Sequence, residues 1–361
     1  GLRAALKAAP EMTDDPLVNE ELRGPFKDVF GPLCKDPAKV PMLEFSVDME
    51  AVKKKNYKDS TPLRMSSASP RQCDVLRAQF KELKELGVMA DAYPDYPPGP
   101  IACMAFTVPK PGVVKLPRPE GYGSTETFSA NIQKLHEEYA ANLSLDRLVV
   151  NEQPLNEVLL LQQYPLPSVQ SNLAKLSNFK FFAKVDITKA FWALPLHPNS
   201  RKWTFTVAAG GLSGIWLRAP MGAAPVPAYF MWCLHGVLKD CEEFVVLYAD
   251  DVLIGAQTEE ELKRNVQAVL KSLLEANFRI NANKCSFTPA KEILYLGWII
   301  GNGQVRAAPG ALDKLWRIRK PNEEVRLKDD KAKRQVVRRF LGILQYLSHY
   351  IPCGAEQLRP L

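Results

Sequence analysis

Tyr248-Ala249-Asp250-Asp251 sets two adjacent carboxylates between two apolar runs, residues 244–247 and 252–255. An apolar run, a short polar break and a second apolar run predict strand, tight turn, strand. Carboxylates at the ends of buried strands are costly to desolvate and repel each other unless something compensates them. A divalent cation is the usual compensation, because Mg²⁺ prefers oxygen ligands and keeps positions open for phosphate oxygens. Taken alone, the stretch also reads as a hairpin turn with two solvated aspartates. A third acid weighs against that plain reading. Asp186 ends the apolar run Phe181-Phe182-Ala183-Lys184-Val185, a second buried strand. Phosphoryl transfer by two metals needs carboxylates from separate strands, and Asp186 with Asp250 supplies them. By itself, Asp186 also reads as a strand-end cap of the following turn.

These blocks fall in an order with others: Tyr164-Pro165-Leu166-Pro167, then Val185-Asp186 through Phe191 and Leu196-His197-Pro198. Ala219-Pro220-Met221-Gly222 and Pro227-Ala228-Tyr229-Phe230 come before the Asp-Asp turn. Asn283-Lys284-Cys285-Ser286-Phe287, Tyr295-Leu296-Gly297-Trp298, Phe340-Leu341-Gly342 and Tyr350-Ile351-Pro352 follow it. The ordered set, over about residues 60 to 361, resembles the reverse transcriptases of gypsy-type LTR retrotransposons and, more distantly, those of retroviruses.

The resemblance implies an α+β chain with right-hand polymerase architecture, its antiparallel palm sheet backed by helices. It implies fingers over residues 61–164 (with 204–222 added), palm over 165–300 and a basic helical thumb over 301–361, after an N-terminal extension at 1–60. It implies an RNA-directed DNA polymerase that adds dNTPs to a primer 3′-hydroxyl with two Mg²⁺ ions, or Mn²⁺. Asp186, Asp250 and Asp251, with the Ile187 carbonyl, would hold the metal. Phe191 would sit under the incoming sugar and exclude a 2′-hydroxyl. Met221 and Gly222 would meet nucleotide and template, Gly222 allowing close backbone approach. Lys284 would protonate the leaving pyrophosphate, and Lys110 would help bind the triphosphate. Leu296, Gly297 and Trp298 would grip the primer end, Trp298 offering an aromatic face. Core packing accounts for Phe191 and Trp298 by spacing alone, and a solvated surface position accounts for Lys284.

The fingers region departs from the family pattern. Asp146 and Asn151 keep their mutual spacing, but Asn142 stands where an arginine clamps the triphosphate by charge-assisted hydrogen bonds. Lys110, Lys134 or Arg147 would have to replace it. Residues 113–139 form an unusual insertion whose Gly, Ser and Thr content predicts a surface loop, ending in a short helix over 132–139. Alanine at 249 is a mild departure from gypsy elements.

Composition fits a globular protein, with 46% hydrophobic and 24% charged residues. No apolar run approaches the roughly 20 residues of a membrane span, so no membrane partner is expected. The seven cysteines are scattered with no Cys-x-x-Cys pair, which predicts reduced thiols and no zinc site, and the protein is expected to be intracellular. The net charge is +7. Residues 301–361 hold thirteen Lys and Arg against six Asp and Glu, so the whole excess lies there. A localised basic stretch marks a polyphosphate partner or simply a solvated helical face; the resemblance favours a primer–template duplex. The absence of an initiator methionine suggests a processed or excised piece, and the resemblance implies polyprotein neighbours (protease, ribonuclease H and integrase) outside this chain.

Local signals place the helices. Ser69-Pro70 starts one with stripe Leu76, Phe80 and Leu83. Others are expected from Pro167 to Leu176 and from Pro227 to Leu238. Thr258-Glu259-Glu260-Glu261 is a capping-box pattern before Leu262, Val266, Val269 and Leu273. Leu312, Leu315 and Ile318, then Val337, Phe340, Leu341, Leu344 and Leu347, suggest thumb helices. A second function stays in view: a polymerase-derived domain without activity, retained as a nucleic-acid-binding or structural subunit of a ribonucleoprotein.

Overall fold

The structure is a computed structural model and describes residues 23–55, 68–110, 114–126, 128–143, 145–164, 167–249 and 251–308, with 334, 337, 338, 341 and 342. The longer helices are α1 (Pro70–Glu85), α2 (Ala130–Leu143), α3 (Val169–Ser177), α4 (Val226–Val237) and α5 (Glu259–Glu275). Besides the short antiparallel pair Ser46–Val47 and Leu159–Leu160, the strands in chain order are β1 (Met89–Ala90), β2 (Ala102–Pro109), β3 (Asp146–Asn151), β4 (Phe181–Asp186), β5 (Phe205–Ala208) and β6 (Leu212–Trp216). They continue as β7 (Val245–Tyr248), β8 (Asp251–Ala256), β9 (Ser286–Ala290), β10 (Glu292–Tyr295), β11 (Trp298–Gly301) and β12 (Gln304–Ala307). The chain divides into two compact units: residues 1–167, 183–254 and 263–288, and residues 168–182, 255–262 and 289–361.

In the first unit, α1 begins as expected. The Ser69 hydroxyl accepts the Gln72 N–H, and the Gln72 side chain accepts the Ser69 N–H, with proline in the first turn. This satisfies two N–H groups that a helix start otherwise leaves unpaired. Leu76, Phe80 and Leu83 are buried along one face. A five-stranded sheet runs in the order β1-β6-β5-β2-β3, with β2 parallel to β5 and the other neighbours antiparallel.

A four-stranded sheet, β9-β4-β8-β7, carries the acids. Val245, Val246 and Leu247 of β7 and Val252, Leu253 and Ile254 of β8 are all buried. Unbroken β-branched and leucine runs suit strands with no solvent face. Tyr248 pairs with Asp251, so only Ala249 and Asp250 lie between the strands. The small Ala249 takes a positive φ of 51°.

The insertion is more ordered than a surface loop. Helix α2 is longer than the expected 132–139 segment. Tyr139 and Leu143 pack with Val75 of α1, and Leu116 and Tyr122 cover them. Buried Asp74 ties the layers together: Arg77, Arg118 and the Tyr139 hydroxyl all donate to it. Leu116, Tyr122, Tyr139 and Leu143 serve this core against α1, hidden in the sequence among glycines and prolines.

The N-terminal segment is also stitched in. Ile280 donates to Val29 O at 2.8 Å, and Leu43 bridges Leu196. Buried Arg218 donates to the carbonyls of Cys34, Lys35, Leu86 and Trp192.

The second unit holds α3 and the antiparallel meander β10-β11-β12. Ser168 caps α3, whose Leu173 and Leu176 are buried and whose Asn172 donates to the Tyr295 hydroxyl at 3.0 Å. At the start of α5, Thr258 accepts the Glu261 N–H as expected, but the Glu261 carboxylate returns to Gln257 N rather than Thr258 N. The expected thumb helices fall almost wholly outside the described residues, as does most of the basic stretch. Among the described residues no helix is long and apolar enough to cross a membrane.

Leu253 is 1% exposed in the middle of β8, so Leu253→Ala is expected to cost about 3 kcal/mol. Ser69→Ala removes one cap and is expected to cost about 1 kcal/mol. Urea unfolding of the two variants beside the parent checks both the values and their order.

Candidate active site

The site is built where β4 ends. Asp186, the last residue of β4, is 8% exposed. Its N–H donates to Cys285 Sγ at 3.3 Å and its carbonyl accepts Asn281 N–H at 3.0 Å. Ile187 bridges Ile280 antiparallel, with Thr188 N–H bonded to Arg279 O. The hydrogen bonds of this bridge are made by Asp186 and Thr188, so the Ile187 carbonyl is not used in it. The backbone around Asp186 is therefore held from one side by residues 279–285.

Each described acid faces a lysine. Lys284 Nζ lies 3.5 Å from Asp186 Oδ2, and Lys184 Nζ lies 2.7 Å from Asp251 Oδ1. Side chains two apart on a strand share a face. Lys184 and Asp186 therefore point to one side of β4, and the Lys184 ammonium reaches across to β8. The two acids thus meet the same side of the sheet, each with a neutralising ammonium. Asp250 lies outside the described residues. Among those described, no group of three or more His, Cys, Asp or Glu is arranged to hold a metal ion. The donor chemistry nevertheless suits a hard cation: carboxylate oxygens from adjacent strands, with partly exposed ammonium groups as countercharge. Cys285, against the Asp186 backbone, is kept a thiol by burial, which pushes its pKa up to about 12.

Phe191 is half-buried in a short helix and meets Phe230 of α4 edge-on, ring centres 5.7 Å apart. Lys110 is half-buried just past β2. Met221 is 52% exposed, and exposed Gly222 has φ 105°, a conformation that disfavours any side chain. In the second unit, Leu296 and Gly297 take φ 51° and 84° in the two-residue turn between β10 and β11. That fits a primed hairpin turn. Trp298 corrects the expectation of a presented aromatic face: it is 1% exposed, its ring buried as core.

Asn142 has a structural use. It is buried; its amide donates to Val114 O at 2.9 Å and accepts from Leu116 N and Arg71 Nη2. Arg71 reaches Asp146 as well, at 2.5 Å. An arginine side chain at 142 would have to displace this network and bury a second guanidinium beside Arg71.

Three residues of this region carried no motif in the sequence. Lys184 had a signal, being two residues before Asp186 on one strand. Glu152, 3% exposed, and Asn156, hydrogen-bonded to the Gly222 carbonyl, had none. Burial pushes the Glu152 pKa up to about 7, against a partial lowering by the Cys103 thiol.

Residues 144–300 match the family described as reverse transcriptase (RNA-dependent DNA polymerase). Over those residues the chain is similar to that family. Over 217 residues, 60% of the chain, it is 30% identical to the Transposon Tf2-3 polyprotein of Schizosaccharomyces pombe and covers 15% of that protein. The Tf2-7 polyprotein of the same organism is 29% identical over the same length. The chain thus spans about 15% of the length of the curated relatives it matches. Among solved structures, the foamy viral protease-reverse transcriptase in complex with dsDNA aligns with TM-score 0.63 and 19% identity, covering 90% of this chain and 56% of that one. The same viral protein with RNA/DNA hybrid gives 0.59 and 18%, covering 90% and 37%. The chain therefore has the α+β fold of these right-hand polymerases, as its motif order implied.

Asn142→Arg is expected to destabilise the domain by about 3 kcal/mol instead of supplying a clamp; thermal unfolding measures it. Glu152 gives a pH signature. Its carboxyl is raised from 4.5 to about 7 in the fold, so the folded state binds more protons than the unfolded one between those values. Stability then falls as pH rises through that window. Glu152→Gln removes the ionisation and is expected to raise the melting temperature at pH 8 more than at pH 5.

Proposed function

We propose that the domain is an RNA-directed DNA polymerase of a retroelement, adding dNTPs to a primer 3′-hydroxyl on an RNA or DNA template. The observation that carries this reading is the meeting of Asp186 and Asp251 from adjacent strands on one side of a sheet, each beside a lysine. A purely structural sheet gains nothing from setting a buried carboxylate, Asp186, beside a second acid, because its desolvation is a cost.

Asp186, Asp250 and Asp251, with the Ile187 carbonyl, would hold two Mg²⁺ ions. The bound ions would activate the attacking hydroxyl and neutralise the leaving pyrophosphate. The chain's own residues do the rest. Lys284, 63% exposed on its side chain, is free to swing from Asp186 toward a leaving group and donate a proton. Lys184 keeps the Asp251 carboxylate turned toward β4. Phe191, backed by Phe230, presents a rigid ring that rejects a ribose 2′-hydroxyl. Met221 and Gly222 offer an exposed apolar side chain and a bare backbone to a base pair, and Lys110 a cation to the triphosphate. The Leu296-Gly297 turn fits a primer-grip backbone. Positioning and electrostatics supply most of the rate in such transfers. Residues 61–164 and 204–222 would serve as fingers, 165–300 as palm and 301–361 as thumb. Protease, ribonuclease H and integrase neighbours would belong to a surrounding polyprotein.

A non-catalytic, nucleic-acid-binding role is the second reading, favoured by Asn142 being committed to the insertion. Primer extension on an RNA template with Mg²⁺ separates the two. The parent is expected to extend, and Asp186→Asn and Asp250→Asn to lose at least about a thousandfold in rate while still binding hybrid. An inert parent that binds hybrid as well as its variants would favour the scaffold.

A further inference from the structure

The loop that presents Met221 and Gly222 does not hold itself. Its far side rests on the turn that follows β3. Asn156 Nδ2 donates to Gly222 O at 2.9 Å, and Asn156 Oδ1 accepts Ala224 N–H at 2.8 Å. One side-chain amide thus satisfies a carbonyl and an N–H two residues apart, which fixes the loop in register and direction. Glu152 stands one helical turn earlier: Asn156 N–H donates to Glu152 O at 2.8 Å in the short helix Gln153–Asn156. Residues four apart on a helical turn share a face. A Cβ built at Gly222 would lie 3.2 Å from Glu152 Cγ and 3.6 Å from Val150 O. The loop is therefore seated on Glu152 and clasped by Asn156, with its other side open. Its incoming end is anchored by Arg218, buried among four carbonyls.

We propose that Asn156 is a positioning residue that sets how the Met221-Gly222 backbone meets the incoming nucleotide. The proposal rests on the polymerase reading above. Asn156 touches no substrate. It acts through Gly222, whose exposed backbone has no side chain to guide it. Without the clasp, a carbonyl and an N–H at the base of the loop must turn to water, and the loop gains conformations in which Met221 leaves the nucleotide face.

Two readouts on the full chain test this. The first is steady-state single-nucleotide extension, with hybrid affinity by fluorescence anisotropy. Asn156→Ala is expected to raise KM for dNTP about tenfold, with kcat within about twofold and hybrid affinity unchanged. Asn156→Asp keeps the acceptor for Ala224 N–H but sets an oxygen against the Gly222 carbonyl, so its KM is expected to rise at least as far. The second readout is hydrogen exchange of the amides of 221–224, which needs no activity. Asn156→Ala is expected to speed exchange at Ala224 about tenfold, and Asn156→Asp to leave it protected. Unchanged exchange, or an unchanged KM in a folded variant, overturns the proposal. So does a joint fall of kcat, dNTP affinity and hybrid affinity, which marks a general structural role. A parent inert in extension, with exchange still controlled by Asn156, sinks the polymerase reading and leaves the clasp standing.

Discussion

Carboxylates gathered at the ends of buried strands must be compensated before the strands can pack. Here the compensation is lysine. Lys184 meets Asp251 and Lys284 meets Asp186, so the described acids enter the fold as ion pairs rather than as bare charges. Both lysines keep solvent access, their side chains 33% and 63% exposed. Such pairs are worth little as stabilisers, and that weakness has a use. An ammonium held loosely at the surface can be exchanged for a harder cation without breaking a buried pair. Fully buried pairs would resist that exchange by several kcal/mol.

What the sequence made legible follows from periodicity and local capping. The hairpin around Asp250 was plain because residues 244–247 and 252–254 are apolar without interruption and need no cross-chain information. Helix α1 was plain because cap, proline and stripe agree over one short stretch. The insertion was misjudged because its helix buries its face against α1, and glycines and prolines around it mimic a loop. Trp298 could not be assigned from the sequence, since a tryptophan after a glycine turn suits either a core or an exposed platform. Burial decided it. Asn156 was invisible because its use depends on two backbone groups more than sixty residues away in sequence.

Asn142 shows how one departure from a family pattern propagates. The position faces the insertion, and its amide holds Val114 and Leu116. With the insertion in place, a guanidinium there would displace these hydrogen bonds and lie beside Arg71, which is already paired with Asp146. The residue and the insertion are one feature. Of the cations the sequence offered in place of an arginine at 142, Lys110 lies just past β2, Lys134 on α2 and Arg147 on β3.

The N-terminal segment matters to the chemistry for a related reason. Val29 accepts from Ile280, Phe30 bridges Ile280, and Ile280 bridges Ile187 next to Asp186. Asn281, the next residue, bonds the Asp186 carbonyl, and Lys284 lies one turn further on. Residues 29–31 thus back the segment that fixes both an acid and its lysine. A segment with almost no motif of its own supports the site through backbone bonds, the Thr188 hydroxyl on the Gly31 carbonyl and the edge-on contact of Phe30 with Phe287. Deleting the segment should therefore loosen Asp186 and Lys284 together.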